Sequence, residues 1–118
     1  MSMTKVTFYK RDGIYYGFKE TGHTGFGEEG DDILCSALSA MTMLIINTVE
    51  ISYASNVDYT IDRRTADIEL KVMSALPEYE EDEKKRYAIS GLLQGYFFQL
   101  NDLTEDYYDY LSVEEVED

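Results

Sequence analysis

Apolar and polar residues alternate on both sides of Asp12-Gly13 in "KVTFYKRDGIYYGFKE". A period of two predicts a pair of antiparallel strands over about residues 4–10 and 14–20, and the Asp-Gly dipeptide accepts the positive φ angles of a tight hairpin turn. The alternation then stops. Gly22, Gly25, Gly27 and Gly30 fall in one short stretch, too much glycine for a regular element, and a flexible loop over about residues 21–30 is predicted. From Asp31-Asp32 onward the apolar positions become Ile33, Leu34, Ala37, Leu38, Met41, Leu44 and Ile45, spaced by three and four. That is a helical stripe, expected to run to about residue 49, with Asp31 or Asp32 as the N-cap.

A second hairpin follows, with "VDYTID", "RRTA" and "DIELKV" reading as strand, turn and strand, and Ile68, Leu70 and Val72 pointing to one side. After Pro77, "EYEEDEKKRYAISGLLQGYFFQL" places acids before bases and then Ile89, Leu92, Leu93, Tyr96, Phe97 and Leu100 at helical spacing. Gly91 and Gly95 interrupt this second amphipathic helix, and either allow close packing on a neighbour or weaken it. The tail "DYYDYLSVEEVED" alternates like a short final strand before a frayed acidic end. No linker divides the 118 residues, so the expectation is one domain over residues 1–118. Its fold class is α+β, a mainly antiparallel sheet with two helices packed on one face, in the order ββαββα(β).

Composition narrows the class of function. Hydrophobic residues make up 44% and aromatic residues 14% of the chain, with one proline, the balance of a packed domain. A single cysteine precludes an intramolecular disulfide, and no leader of the secretory type opens the chain, so a reducing cytoplasm is the expected compartment. The longest apolar stretch, around "MTMLIINTV", is broken well short of about 20 residues, and no membrane span is expected. Net charge is −14, from 24 acidic against 10 basic residues. A field of that sign repels nucleic acid phosphates and anionic membranes, which argues against direct nucleic acid binding, and it attracts basic polypeptides.

Candidate chemistry concentrates in "GHTGFGEEGDDILCSAL", which holds the only histidine, His23, and the only cysteine, Cys35. With Asp31 or Asp32 as the cap, Cys35 falls in the first helical turn, where orphan N–H groups and the helix dipole favour thiolate. His23, at the end of the second strand, is the candidate base, and the glycine loop is what would bring the two together. The residues alone leave a second reading open, in which Cys35 is a small inert core residue. One histidine and one cysteine fall short of a structural zinc site, and Glu28, Glu29, Asp31 and Asp32 lack calcium-loop spacing, so no metal is expected. The loop carries acids and no lysine, matches neither phosphate-binding fingerprint, and implies no cofactor.

The stretch "GHTGFGEEGDDILCSALSAM" resembles the signature of the ribosomal-processing cysteine protease family, Prp, in which G-H, a glycine-rich loop, D-I-x-C and a following serine occur in this order. Departures are small: Thr24 stands where alanine is common, and Ser36 and Leu38 replace alanine and valine. The resemblance implies a cytoplasmic, homodimeric endopeptidase that removes a short N-terminal extension from a large-subunit ribosomal protein. By resemblance, Cys35 corresponds to the nucleophile and His23 to its acid/base partner, with Asp32 and Ser39 at supporting positions. Asp32 has two readings, helix cap or orienter of His23. The rival to catalysis is an acidic interaction protein that holds a basic ribosomal partner with Cys35 inert.

Overall fold

The first strand pair closes at the expected dipeptide, where Asp12 and Gly13 take φ of 52° and 78° and turn β1 (Thr4–Arg11) into β2 (Ile14–Thr21). Such positive values at both central residues suit the right-handed twist of the flanking strands. The computed structural model describes residues 3–22, 29–62, 64, 65 and 67–118, with backbone alone for 29–32. Among them follow α1 (Glu29–Asn47), one π-helical turn over Thr48–Ser52, β3 (Asp58–Ile61), β4 (Ile68–Lys71), a short 3-10 turn, α2 (Glu83–Asp106) and β5 (Leu111–Glu117). The architecture is α+β, as expected.

The strands lie in the order β3-β4-β2-β1-β5. All neighbours are antiparallel except β1 and β5, because α2 carries the chain back before β5 begins. One face of the sheet presents Val6, Phe8, Phe18 and Leu70, all buried, and both helices bury their apolar sides in the same cluster. Phe8 is its hub, with ring centroids 5.2 Å from Phe97, 5.6 Å from Phe18 and 5.7 Å from Tyr96. The contacts with Phe97 and Tyr96 are edge-to-face, a geometry that adds to the area the rings remove from water.

Both helix starts differ from the sequence reading. α1 begins at Glu29, so neither Asp31 nor Asp32 stands before the helix as its cap; both lie in its first turn. The glycine run had argued for loop through residue 30, but Gly30 is already helical. The start of α2 waits until Glu83, because Asp82 supplies the cap: its carboxylate accepts the Lys84 and Lys85 amides at 3.0 and 3.4 Å. α1 also buries a narrower arc than its apolar pattern suggested. Leu34, Leu38, Ile45 and Ile46 are buried, whereas Ile33 and Leu44 face outward.

The expectation of no membrane-length apolar stretch is corrected. The helical run Ile33–Ser52 is 20 residues long and, by length and composition alone, apolar enough to cross a bilayer. Of the polar residues in this run, Thr48 donates to the Leu44 carbonyl at 2.7 Å and Thr42 makes a buried hydrogen bond, while Asn47 and Glu50 are exposed. The inner side of this helix is a wall of the core. Its outer side leaves Leu44 59% and Ile51 78% exposed.

Among the described residues, nothing lies within 4 Å of a Cβ placed at Gly91 or Gly95. They border an apolar groove of about 370 Å³ between α1 and α2, lined also by Met41, Leu44, Ile45, Leu92, Tyr96 and Gln99. Neither glycine packs closely on the described residues.

The acidic end is a strand, not a frayed tail. β1 offers Lys5, Lys10 and Arg11 to Glu114, Glu115 and Asp118 at 3.1, 2.9 and 3.3 Å, and the hydroxyls of Tyr15 and Tyr16 donate to Glu115 and Asp118. These bonds hold the three carboxyls below their ordinary range: for Glu114 chiefly through Lys5, for Glu115 through Lys10, and for Asp118 through Tyr16 and then Arg11. A depressed folded-state pKa means stabilisation that is complete above the unfolded value and lost as pH falls through the folded one. We therefore expect β5 to loosen selectively as pH drops below about 4. Amide hydrogen exchange reads this directly: β5 should lose protection before β2 and β4, and parallel loss in all three would contradict it.

Candidate active site

Cys35 lies in the second turn of α1, half-buried, between buried Leu34 and exposed Ser36. Ser39 follows one turn later, four residues on, and is exposed; side chains at that spacing share a helix face. Asp32 lies three residues before Cys35 within the first turn, and its side chain lies outside the described residues, as do His23, Gly25 and Gly27. The Cys35–His23 pairing therefore falls outside what the geometry covers.

The start of α1 at Glu29 changes the electrostatics expected for the thiol. In a regular helix the Cys35 amide bonds the carbonyl four residues earlier, so it is not one of the orphan donors. Those donors belong to residues 29–32, one turn nearer the N-terminus. A helical Cα–Cβ bond tilts toward the N-terminus, so a cysteine side chain here leans back over that turn. The dipole still favours thiolate, at one turn's greater distance.

Strand β2 ends just before His23, and its end is held firmly. Gly22 has φ of +88°, its amide donates to Asp67 Oδ1 at 3.2 Å, and a Cβ placed there would lie 2.3 Å from the Met3 carbonyl oxygen. Asp67 in turn accepts at its own carbonyl the Asp62 amide at 2.8 Å, which closes the β3–β4 hairpin. Gly22 was grouped with the flexible loop in the sequence; it is a fixed corner with a glycine-only conformation. Whatever follows residue 22 departs from a defined point.

Beside this corner sits a polar cluster that the sequence reading missed. Glu20 of β2 is 2% exposed, on the inner face with Phe18. Its Oε1 accepts the Tyr96 hydroxyl at 2.6 Å and the Thr42 hydroxyl at 3.1 Å. Thr42 belongs to α1 and Tyr96 to α2, and they are 4% and 5% exposed. Burial, reinforced by the Glu20 carboxylate, pushes the Tyr96 hydroxyl far above its ordinary value, so it remains a donor at any working pH. One signal was available: an acid two residues after Phe18 breaks the apolar side of an otherwise alternating strand.

Comparisons with known proteins agree with this picture. The family model described as cysteine protease Prp matches residues 3–112. That match defines a cysteine protease, which sets aside the rival of a purely binding protein. The chain belongs to the Prp family. Among solved structures, SMU.848 from Streptococcus mutans is similar at 26% identity and a TM-score of 0.80, covering 99% of this chain and 100% of that one. The essential ribosomal processing protease Prp from S. aureus, in complex with a substrate peptide, matches at 18% identity and a TM-score of 0.78, over 97% and 100% of the two chains. The same protease with a covalently linked product peptide gives 19% and 0.75, again over 97% and 100%. The curated proteins contain no match to this sequence.

Proposed function

We propose that this chain is a cytoplasmic endopeptidase that cuts an N-terminal extension from a large-subunit ribosomal protein, with Cys35 as nucleophile and His23 as acid/base partner. The observation that carries the reading is the family match over residues 3–112, a span that includes the G-H and D-I-x-C residues. The S. aureus relative, a ribosomal processing protease by description, shares the fold and supports the substrate class. A net charge of −14 favours encounter with a basic substrate through electrostatic steering.

In the first step Cys35 Sγ attacks the scissile carbonyl carbon, the C–N bond breaks, and the imidazolium of His23 protonates the departing amine, leaving a thioester. In the second step His23 takes a proton from water, the hydroxyl adds to the thioester carbonyl, and the thiolate leaves. Donors for the oxyanion are sought among the free amides of the first α1 turn and the segment before it. In this reading the enzyme acts as a homodimer, and the exposed apolar side chains Met43 and Leu44 of α1 and Ile51 of the π-helical turn are candidates for the covered surface.

The test is incubation of the purified chain with a large-subunit ribosomal protein carrying its natural extension. Mass spectrometry should find one new N-terminus and a mass lowered by the extension. The same ribosomal protein lacking the extension should stay intact. Failure to cut the extended form would sink the substrate assignment.

A further inference from the structure

We infer that Glu20, Thr42 and Tyr96 act together as a positioning tether that sets where the nucleophile helix sits on the base strand, an inference that rests on the Cys35–His23 reading above. Glu20 lies near the end of β2, three residues before His23 in the chain. Thr42 follows Cys35 by seven residues on α1, which is close to two full turns, so the two lie on one side of the helix roughly 10 Å apart along its axis. A single carboxylate oxygen, Oε1 of Glu20, therefore joins β2 to α1 through Thr42 at 3.1 Å and to α2 through Tyr96 at 2.6 Å.

Apolar packing seats α1 on the sheet through Leu38 and Ile45, but it is incomplete between the helices. Where α1 and α2 face each other, the space is the apolar groove between Met41, Leu44, Ile45, Gly91, Leu92 and Gly95, and among the described residues nothing lies within 4 Å of a Cβ placed at either glycine. A gapped interface lets a helix slide or rotate with little change in energy, whereas hydrogen bonds to a buried carboxylate are directional and allow one arrangement. Stability gives no reason to keep an acid here. Phe18 two residues earlier, and Val6 and Ile68 in register with Glu20, make the site one that an apolar side chain would fill at equal or lower energetic cost. What the carboxylate adds is registry between the helix that carries Cys35 and the strand that leads into His23.

The test replaces the three described members of the cluster together, in the triple variant Glu20→Met, Thr42→Val, Tyr96→Phe, so that neither Thr42 nor Tyr96 is left as a buried hydroxyl without its acceptor. It should unfold at a temperature no lower than the parent, keep KM within about twofold and lose about a hundredfold in kcat, the scale of a displacement near 1 Å at a reacting centre. Alkylation of Cys35 across pH supplies a readout that a merely structural role does not move: the low-pH reactivity of the parent should be lost in the triple variant. Thr42→Val alone should move the same way in part, and Thr42→Ser, which keeps the donor, should restore the parent behaviour. This pair keeps the test decisive should the triple variant fail to fold.

His23→Ala, run alongside, separates two kinds of failure. If it changes the alkylation profile while folded tether variants keep the parent profile and kcat, the tether is wrong and the dyad stands. If His23→Ala leaves both profile and cleavage unchanged, the dyad reading fails and removes the tether's purpose with it.

Discussion

Replacing Cys35 with alanine is expected to lower cleavage of the extended ribosomal protein by about 10⁴-fold or more, the scale on which enzymes lose activity when an attacking group is removed. The fold should not change. Cys35 is half-buried on a helix, alanine has the higher helix propensity, and the lost sulfur is one atom at the edge of the core. His23→Ala should fall nearly as far, because without it the leaving amine has no positioned proton and the thioester no positioned base. The double variant should be no worse than Cys35→Ala alone, since residues acting on one step do not contribute additively. Single-turnover cleavage followed by mass spectrometry checks all three. Retained cutting by Cys35→Ala would remove the cysteine from the chemistry, and a strictly additive double variant would mean that the two residues act in separate steps.

Local pattern was a good guide where neighbours in sequence are neighbours in space. The turn at Asp12-Gly13, both hairpins and the interior of α2 were legible because a hairpin or a helix carries its own pairing rule. Reading failed where the deciding contact comes from far away. The acids of β5 looked frayed until Lys5, Lys10 and Arg11 of β1 were placed beside them, and nothing near residue 114 announces bases more than a hundred positions earlier. Gly30 delayed the predicted start of α1, since glycine is a poor helix residue and the run before it reads as loop. The exposed Ile33 and Leu44 likewise show that an apolar stripe gives a helix its amphipathic side but not the width of the surface that covers it.

The candidate site divides in the same way. Cys35, with Asp32 and Ser39 around it, could be found from a motif because its members sit within one stretch of chain. Glu20 gave one signal, an acid on the apolar side of β2, but not its partners. Thr42 and Tyr96, which its carboxylate joins, are 22 and 76 positions away. Buried polar groups joined over such distances are visible only after folding.

Gly22→Ala should be the most damaging single substitution outside the reacting pair. Residue 22 sits at φ of +88°, which costs an alanine about 1–2 kcal/mol. The added Cβ would also lie 2.3 Å from the Met3 carbonyl oxygen, and that backbone cannot yield freely, because the next residue donates its amide to the Tyr110 carbonyl at 2.7 Å and starts the β1–β5 pairing. Two relaxations remain. Either the start of β1 moves off β2, or residue 22 rotates and redirects the chain into His23. The first costs stability and the second costs catalysis, so we expect a loss of about 2–4 kcal/mol in urea unfolding together with a fall of about a hundredfold in kcat under conditions where the variant is folded. Gly91→Ala is the matched comparison: its Cβ meets open space on a helix, and it should stabilise the chain by about 0.5–1 kcal/mol without touching activity. If Gly22→Ala matched the parent in both stability and rate, the strand end would not be the fixed corner from which His23 is aimed, and the placement of the base would have to come from the segment that follows.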